Sequence, residues 1–318
     1  MTPTQLRAFA TVVQCGSVKA AAEVLQVSEA AVSMHVAQLR KELGDPLFTR
    51  ATTGLAFTPG GLRLASRAVE ILGLQDRTVR EVGQAGHGQR LLRVAATSLF
   101  AEHAAPGLLG LFANRAKDLE LELSVHDSAA LPALLASRAV DVGIGPQPAV
   151  LLPDFVTTTF LKYEIIAVTG PGHVLSGQSP QPAQLRALTW LLGPSAAGPD
   201  GVVPDLLRRI GVPEAQQRIF QSDAQATEEI RRTDGVGLAL GFAVAGDLAN
   251  GRLVALGTPG LRSAGRWSAL VLPTHSQLPA AAELLRFITT PRATQAMLRG
   301  AGSAPGRFRP SVHVTLWS

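Results

Sequence analysis

From Ser28 to Lys41 the chain carries side chains suited to reading a surface. Ser28 and Ser33 bring hydroxyls, Glu29 an acceptor, Ala30, Met34 and Ala37 apolar groups, and Lys41 a cation. Val32, Val36, Leu39 and Leu43 recur at intervals of three and four, so on a helix they form one apolar face and leave Glu29, Ala30, Ser33, Met34, Ala37 and Lys41 outward. The chemistry open to such a face is contact with base-pair edges and phosphates. Ser33 can donate or accept, Ala30 and Met34 can pack on a thymine methyl, and Glu29 can accept from a cytosine amino group. A plain solvated helix surface is the competing reading, and an acid in the first turn also suits the helix dipole.

Other residues point away from catalysis. The seven histidines (His35, His87, His103, His126, His173, His275 and His313) are scattered, with neither metal-ligand spacing nor an HExxH pair. His103 and His126 read as surface or cap residues. No nucleophile elbow occurs, and Gly235-Val236-Gly237 lacks the following glycine of a dinucleotide fingerprint. Chain order alone leaves a catalytic triad open, but no catalytic residue, metal or cofactor is assigned. Cys15 is the sole cysteine, which excludes an intrachain disulfide and a cysteine zinc cluster. A small buried residue near a helix end is the simpler reading of it, and a redox sensor the other.

The reading face needs elements to hold it. Thr2-Pro3-Thr4-Gln5 supplies an N-cap hydroxyl, a first-turn proline and the glutamine of a capping box, so a helix starts there and Gly16 ends it. Ser17 caps a second helix reaching Leu25, whose Ala20, Ala21 and Ala22 allow close approach by a neighbour. Ser28 caps the third, and Gly44 with Pro46 stops it. Two short helices joined by a tight turn make a helix-turn-helix, whose later helix enters the major groove. Leu47 to Arg50 and Leu55 to Phe57, turning through Thr53-Gly54, form two short strands the size of a wing, with Arg50 beside minor groove or backbone. From Thr58 to about Gly83 the pattern is helical. Leu62, Ala65, Val69 and Leu72 are spaced for a partner helix, and pairing with a second copy would set two reading heads side by side.

Composition fits this picture without proving it. At 318 residues the chain exceeds one ordinary domain, and 46% hydrophobic with 17% charged residues argues for folded structure over disorder. Residues 1–90 hold ten Lys and Arg against seven Asp and Glu, a local balance of +3 inside an overall +5, which permits a polyanionic partner and leaves it undecided. No window approaches the roughly 20 apolar residues of a membrane span, and no signal peptide is evident, so a soluble cytoplasmic protein is expected.

The run Ser17-Val18-Lys19-Ala20-Ala21-Ala22, then Val27-Ser28-Glu29-Ala30-Ala31-Val32-Ser33, then Leu39, Glu42-Leu43-Gly44, Pro46-Leu47-Phe48 with Arg50, and Phe57-Thr58-Pro59-Gly60-Gly61 resembles the signature of LysR-type transcription regulators. Against that pattern, Glu29 and Ala30 stand where the family usually has Gln and Pro, Met34 where it often has Arg, and Thr53 where it often has a second basic wing residue. The resemblance implies a winged helix-turn-helix over 1–58, a linker and dimerisation helix over 59–88, and an effector-binding domain over 89–300. Its DNA-facing residues would be Ser28, Glu29, Ala30, Ser33, Met34, Ala37, Lys41, Arg50 and Thr53.

Beyond Gly88 strand and helix patterns alternate: Leu92–Ala96, Pro106–Arg115, Leu119–Val125, Leu131–Ser137, Val140–Ile144, then Ile165–Val168, Leu188–Leu192, Val203–Ile210, Arg218–Gln221, Gln225–Arg231 and Val236–Leu240, with return through Trp267–Leu272 and Ala280–Ile288. Leu92-Arg93-Val94, Leu134-Leu135, Val140-Asp141-Val142-Gly143-Ile144, Gly235-Val236-Gly237-Leu238 and Leu248 to Val254 resemble landmarks of the LysR effector domain, a two-lobed α/β fold similar to periplasmic solute-binding proteins. Lobe I is expected at about 89–161 and 266–300, lobe II at about 162–265, and the tail 301–318 is unassigned. In such a fold ligands bind where strand carboxyl ends meet helix amino ends. Thr97, Ser98, Ser128, Gly145, Gln147, Ser195, Ser222 and Asp223 are the expected lining for a small organic anion, and ordinary helix capping is the competing reading of each hydroxyl. The expected partners are an operator in double-stranded DNA, that effector, and further copies of the chain as a homodimer and homotetramer. A solute-binding or scaffold protein whose N-terminal helices touch only protein is the alternative.

Overall fold

The computed structural model describes residues 1–51, 54–85, 90–116, 118–150, 152–176, 178, 180–257, 260–299 and 312–315. Thr53 and most of the tail lie outside them. The chain divides into two compact units, Met1–His87 with Ala136–Ala139, and Gly88–Leu135 with Val140–Ser318.

The first unit opens with α1 (Pro3–Cys15), α2 (Val18–Leu25) and α3 (Glu29–Leu43). Their ends are set by local chemistry. Thr2 and Gln5 close a capping box on α1, Ser17 caps α2 and Ser28 caps α3, while Gly16 and Gly44 stand in the left-handed conformation that terminates a helix without a Cβ penalty. Leu6, Phe9 and Val12 from α1 meet Ala21, Ala22, Val32, Val36 and Leu39 in one core. Leu43 departs from the expected apolar face: it is 44% exposed and lies outside the head's core.

A hairpin of β1 (Phe48–Ala51) and β2 (Gly54–Phe57) follows, pairing Phe48 with Phe57 and Arg50 with Leu55. Phe48 anchors it: the ring stacks on Phe9 at 6.4 Å, meets Phe57 edge-on at 5.7 Å and lies 4.4 Å under the Arg40 guanidinium, which also donates to the Phe48 carbonyl at 2.8 Å. α4 (Pro59–Ala85) then begins at a tight junction. Asp45 accepts from the Leu47 amide and the Thr58 hydroxyl, and Thr58 caps the Gly61 amide at 2.8 Å. A Cβ on Gly61 would stand 2.0 Å from the Leu47 carbonyl oxygen, so the second glycine of the Phe57-to-Gly61 motif is required by close approach.

In the second unit come β3 (Arg90–Ala96), α5 (Ser98–His103), α6 (Ala105–Ala113), β4 (Leu119–Val125), α7 (Leu131–Ala136), β5 (Val142–Pro146), β6 (Val156–Thr169), α8 (Pro182–Ala187), β7 (Trp190–Leu192), α9 (Val202–Ile210), β8 (Gln217–Ile219), α10 (Asp223–Arg232), β9 (Val236–Leu240), α11 (Ala245–Ala249), β10 (Val254–Ala255), β11 (Arg262–Val271), α12 (Pro279–Ile288), α13 (Pro291–Arg299) and β12 (Val312–Thr315). They build one sheet in the order β12-β4-β3-β5-β11-β6-β9-β7-β8, with β10 beside β6. β12, β4, β3 and β5 run parallel to one another, as do β9, β7 and β8. The antiparallel pair β6 and β11 joins these halves, with a register shift between Trp267 and Ser268. The unassigned tail thus contributes an edge strand, and β6 is far longer than the Ile165–Val168 segment read from sequence.

The landmarks Leu92-Arg93-Val94 and Val140-Asp141-Val142 meet in space. Arg93 and Asp141 form a buried bidentate ion pair, Nη2 to Oδ1 at 3.0 Å and Nε to Oδ2 at 3.3 Å, and the Arg93 amide also donates to Asp141 Oδ2 at 2.9 Å. Trp267, Phe100 and Tyr163 cluster in the main core, Phe100 edge-on to Trp267 at 5.1 Å.

Candidate DNA-reading face and effector cleft

α3 presents the expected face. Glu29, Ala30, Ser33, Met34, Ala37 and Lys41 are all exposed, while Val32, Val36 and Leu39 are buried beneath. At about 100° per residue the six exposed positions fall within an arc of roughly 140°, about the width a helix turns toward a groove floor. Ser28 is exposed too, but its oxygen accepts from the Ala31 amide at 3.2 Å and so is engaged as a cap. Arg50 is exposed on β1. Arg40, in the last turn of the same helix, clamps the hairpin through Phe48.

The four apolar positions assigned to α4 pairing divide. Leu62 and Val69 are 54% and 39% exposed, whereas Leu72 is buried and Ala65 half-buried against the head's own core. Val79 and Val82, which were not singled out from sequence, are 67% and 70% exposed.

In the second unit, strand ends of both halves of the sheet converge. Gly145 closes on Thr97 and Ser128: a Cβ there would lie 3.3 Å from Thr97 Cγ2, 3.0 Å from Leu131 Cδ1 and 3.9 Å from Ser128 Cβ. Ser98 is half-buried as the first residue of α5. Thr97 precedes α5 without capping it, and its Oγ1 is buried with no hydrogen-bond partner among the described residues. Ser195 lies in a short 3-10 turn after β7, and Asp127, the neighbour of Ser128, comes against Gly198 from the same loop. Gln147 is exposed, with its amide held by the Arg266 carbonyl at 2.7 Å, and nothing ties it to the others. Ser222 accepts from the Gln225 amide at 3.2 Å, the ordinary cap.

Asp223 was expected to line an open site and instead is 8% exposed, engaged by two residues of α5: Glu102, which was not singled out from sequence, and His103, which was read as a surface or cap residue but has a side chain only 12% exposed. His103 Nε2 lies 3.0 Å from Asp223 Oδ2, and the Glu102 carboxylate accepts from the amides of Asp223 and Ala224, both at 2.9 Å. Burial pulls His103 toward neutrality, but the hydrogen bond and charge of Asp223, aided by Glu102, outweigh it and raise its pKa above the ordinary value. Glu102 is pushed up by burial and by the Asp223 charge, against its amide bonds and His103. The donor atoms of these three residues lie within 4.8 Å of one another, yet they are directed at each other and at the α10 amides. Glu102-His103, six and seven residues past the end of β3, was the available signal. Its partner lies 120 residues away and could not be paired from spacing.

Comparison with known proteins agrees with this geometry. The model of the lysR-family bacterial regulatory helix-turn-helix protein matches residues 3–62, and that of the LysR substrate binding domain matches residues 85–291. An uncharacterized HTH-type transcriptional regulator of Mycobacterium tuberculosis (strain ATCC 25618 / H37Rv) is 58% identical over 321 residues, covering 100% of both chains. Among solved structures, ArgP from Mycobacterium tuberculosis shares the fold at a TM-score of 0.56 and 20% identity over 94% of this chain and 97% of that one. Full-length CbnR in complex with its target DNA does so at 0.53 and 19%, over 91% and 99%. Among the described residues no helix is long and apolar enough to cross a membrane. With its head and its sheet domain each matched by the corresponding model, the chain belongs to the LysR family of DNA-binding, effector-binding transcription regulators.

Proposed function

We propose that the chain acts in the cytoplasm as a homodimer paired through α4, and as a pair of such dimers, setting copies of α3 into successive major-groove segments of an operator. A small organic anion in the cleft at Thr97, Ser128 and Gly145 modulates that binding, and the chain catalyses no reaction. The observation that carries this reading is the exposed, mostly small-residue face of α3 backed by a rigid core. Ser33 is its base-edge contact, Lys41 and Arg50 its phosphate contacts, with Glu29, Ala30, Met34 and Ala37 shaping the fit. The partnerless Thr97 hydroxyl supports the cleft, since a buried hydroxyl ordinarily finds a partner. In the CbnR complex, a protein of the same fold holds its target DNA.

The test is duplex binding, across a salt series, to DNA flanking the chain's own coding sequence. Affinity should fall steeply with salt, and Lys41→Ala or Arg50→Ala should weaken every duplex and reduce the logarithmic salt slope by about 1. Ser33→Ala should change the ranking of sequences. Salt-independent, sequence-blind binding would refute the reading.

A further inference from the structure

The first residues of α10 are where an external anion was expected, and they are occupied from within. Both oxygens of Glu102 sit on the Asp223 and Ala224 amides at 2.9 Å, and Ser222 satisfies the Gln225 amide. Beside this fork His103 and Asp223 pair at 3.0 Å, and Gly193 comes so near that a Cβ would stand 1.6 Å from Asp223 Oδ1. α5 follows β3 in one parallel half of the sheet and α10 precedes β9 in the other. The Glu102 and His103 bonds therefore tie one half to the other across the cleft.

A carboxylate on two amides at a helix start is a charge-assisted fork that another anion can reproduce. A neutral group leaves these N-H groups without an ionic acceptor. The neighbouring Asp223 carboxylate opposes Glu102, and His103 between them relieves that repulsion.

We propose that Glu102 is a tethered stand-in for a ligand anion: without effector its carboxylate holds the two halves together through the α10 amides, and an effector carboxylate gains those amides only by expelling it. The proposal rests on reading this domain as the effector sensor. On this reading Glu102 is a built-in ligand, and effector binding exchanges one carboxylate for another.

Hydrogen exchange on the full chain, followed in peptides covering residues 219–226, tests it in wild type, Glu102→Ala and Glu102→Gln, each with and without formate as the probe. In Glu102→Ala the Asp223 and Ala224 amides should exchange about tenfold faster or more. Millimolar formate should restore their protection there and leave wild type unchanged. Glu102→Gln keeps the side-chain volume but offers one acceptor oxygen, so its exchange should be intermediate. Unchanged protection in Glu102→Gln overturns the proposal even if the alanine variant fails to fold, and so does faster exchange that formate does not reverse. No effector enters this experiment, so its failure leaves effector sensing standing. That reading fails separately if no small molecule alters operator binding.

Discussion

Removing Asp141 should damage the sheet domain more than its surface-like residue type suggests. The Arg93 and Asp141 side chains are 11% and 3% exposed, and the carboxylate accepts three hydrogen bonds, two from the guanidinium and one from the Arg93 amide. Asp141→Ala strands a nearly buried cation, for which breaking such a pair costs about 3–5 kcal/mol. Arg93→Met strands the carboxylate but leaves it the backbone amide, so its cost should be smaller by roughly 1–2 kcal/mol. For a domain of this size each kcal/mol moves the melting temperature by about 2–4 °C, which puts the Asp141→Ala shift on the order of 10 °C. The double variant Arg93→Met/Asp141→Leu replaces both charges by apolar groups and should recover most of the loss. Tryptophan fluorescence during urea unfolding isolates the effect, because Trp190, Trp267 and Trp317 all lie beyond the head. An Asp141→Ala variant within about 1 kcal/mol of wild type, or a double variant as unstable as the two singles summed, would refute the reasoning.

Val69→Glu places a charge on an exposed face of α4 without touching the head's core, so it should shift the particle toward monomer while leaving melting of the head unchanged, as read by light scattering and calorimetry. Because the His103 pKa is raised by Asp223 and Glu102, its contribution to stability is complete below the ordinary value of 6.5 and lost as pH rises through the raised one. The melting-temperature gap between wild type and His103→Gln should therefore narrow from pH 6 upward. A gap that widens with pH would show that burial, not the Asp223 partnership, dominates.

The head was legible because its boundaries are written in adjacent residues. Thr2 with Gln5, Ser17 before α2, Ser28 before α3, and Gly16 and Gly44 after their helices each act within one turn of where they stand. β6 was only partly legible. Its first eight residues, Val156 to Tyr163, mix Thr and Lys with apolar side chains and gain burial chiefly from β11, a partner a hundred residues on. α8 and α11 are only six and five residues long, too short for an apolar period to announce them. In the cleft, residue type could not distinguish a cap from a ligand: Ser222 proved to be a cap, while Thr97 beside a similar turn is not. The pairing of Glu102 and His103 with α10 depends on tertiary placement alone.

The slip in register at Trp267 and Ser268 bears on how this domain can move. Just two long strands carry the crossing between its parallel halves, and at that slip Ser268, fully buried, shares a hydrogen bond with Thr159 at 2.9 Å. Any rocking of one half must flex this narrow waist, since sliding would break the ladder on both sides. A larger side chain at Ser268, which is fully buried, would strain this crossing while leaving the sequence of α3 untouched.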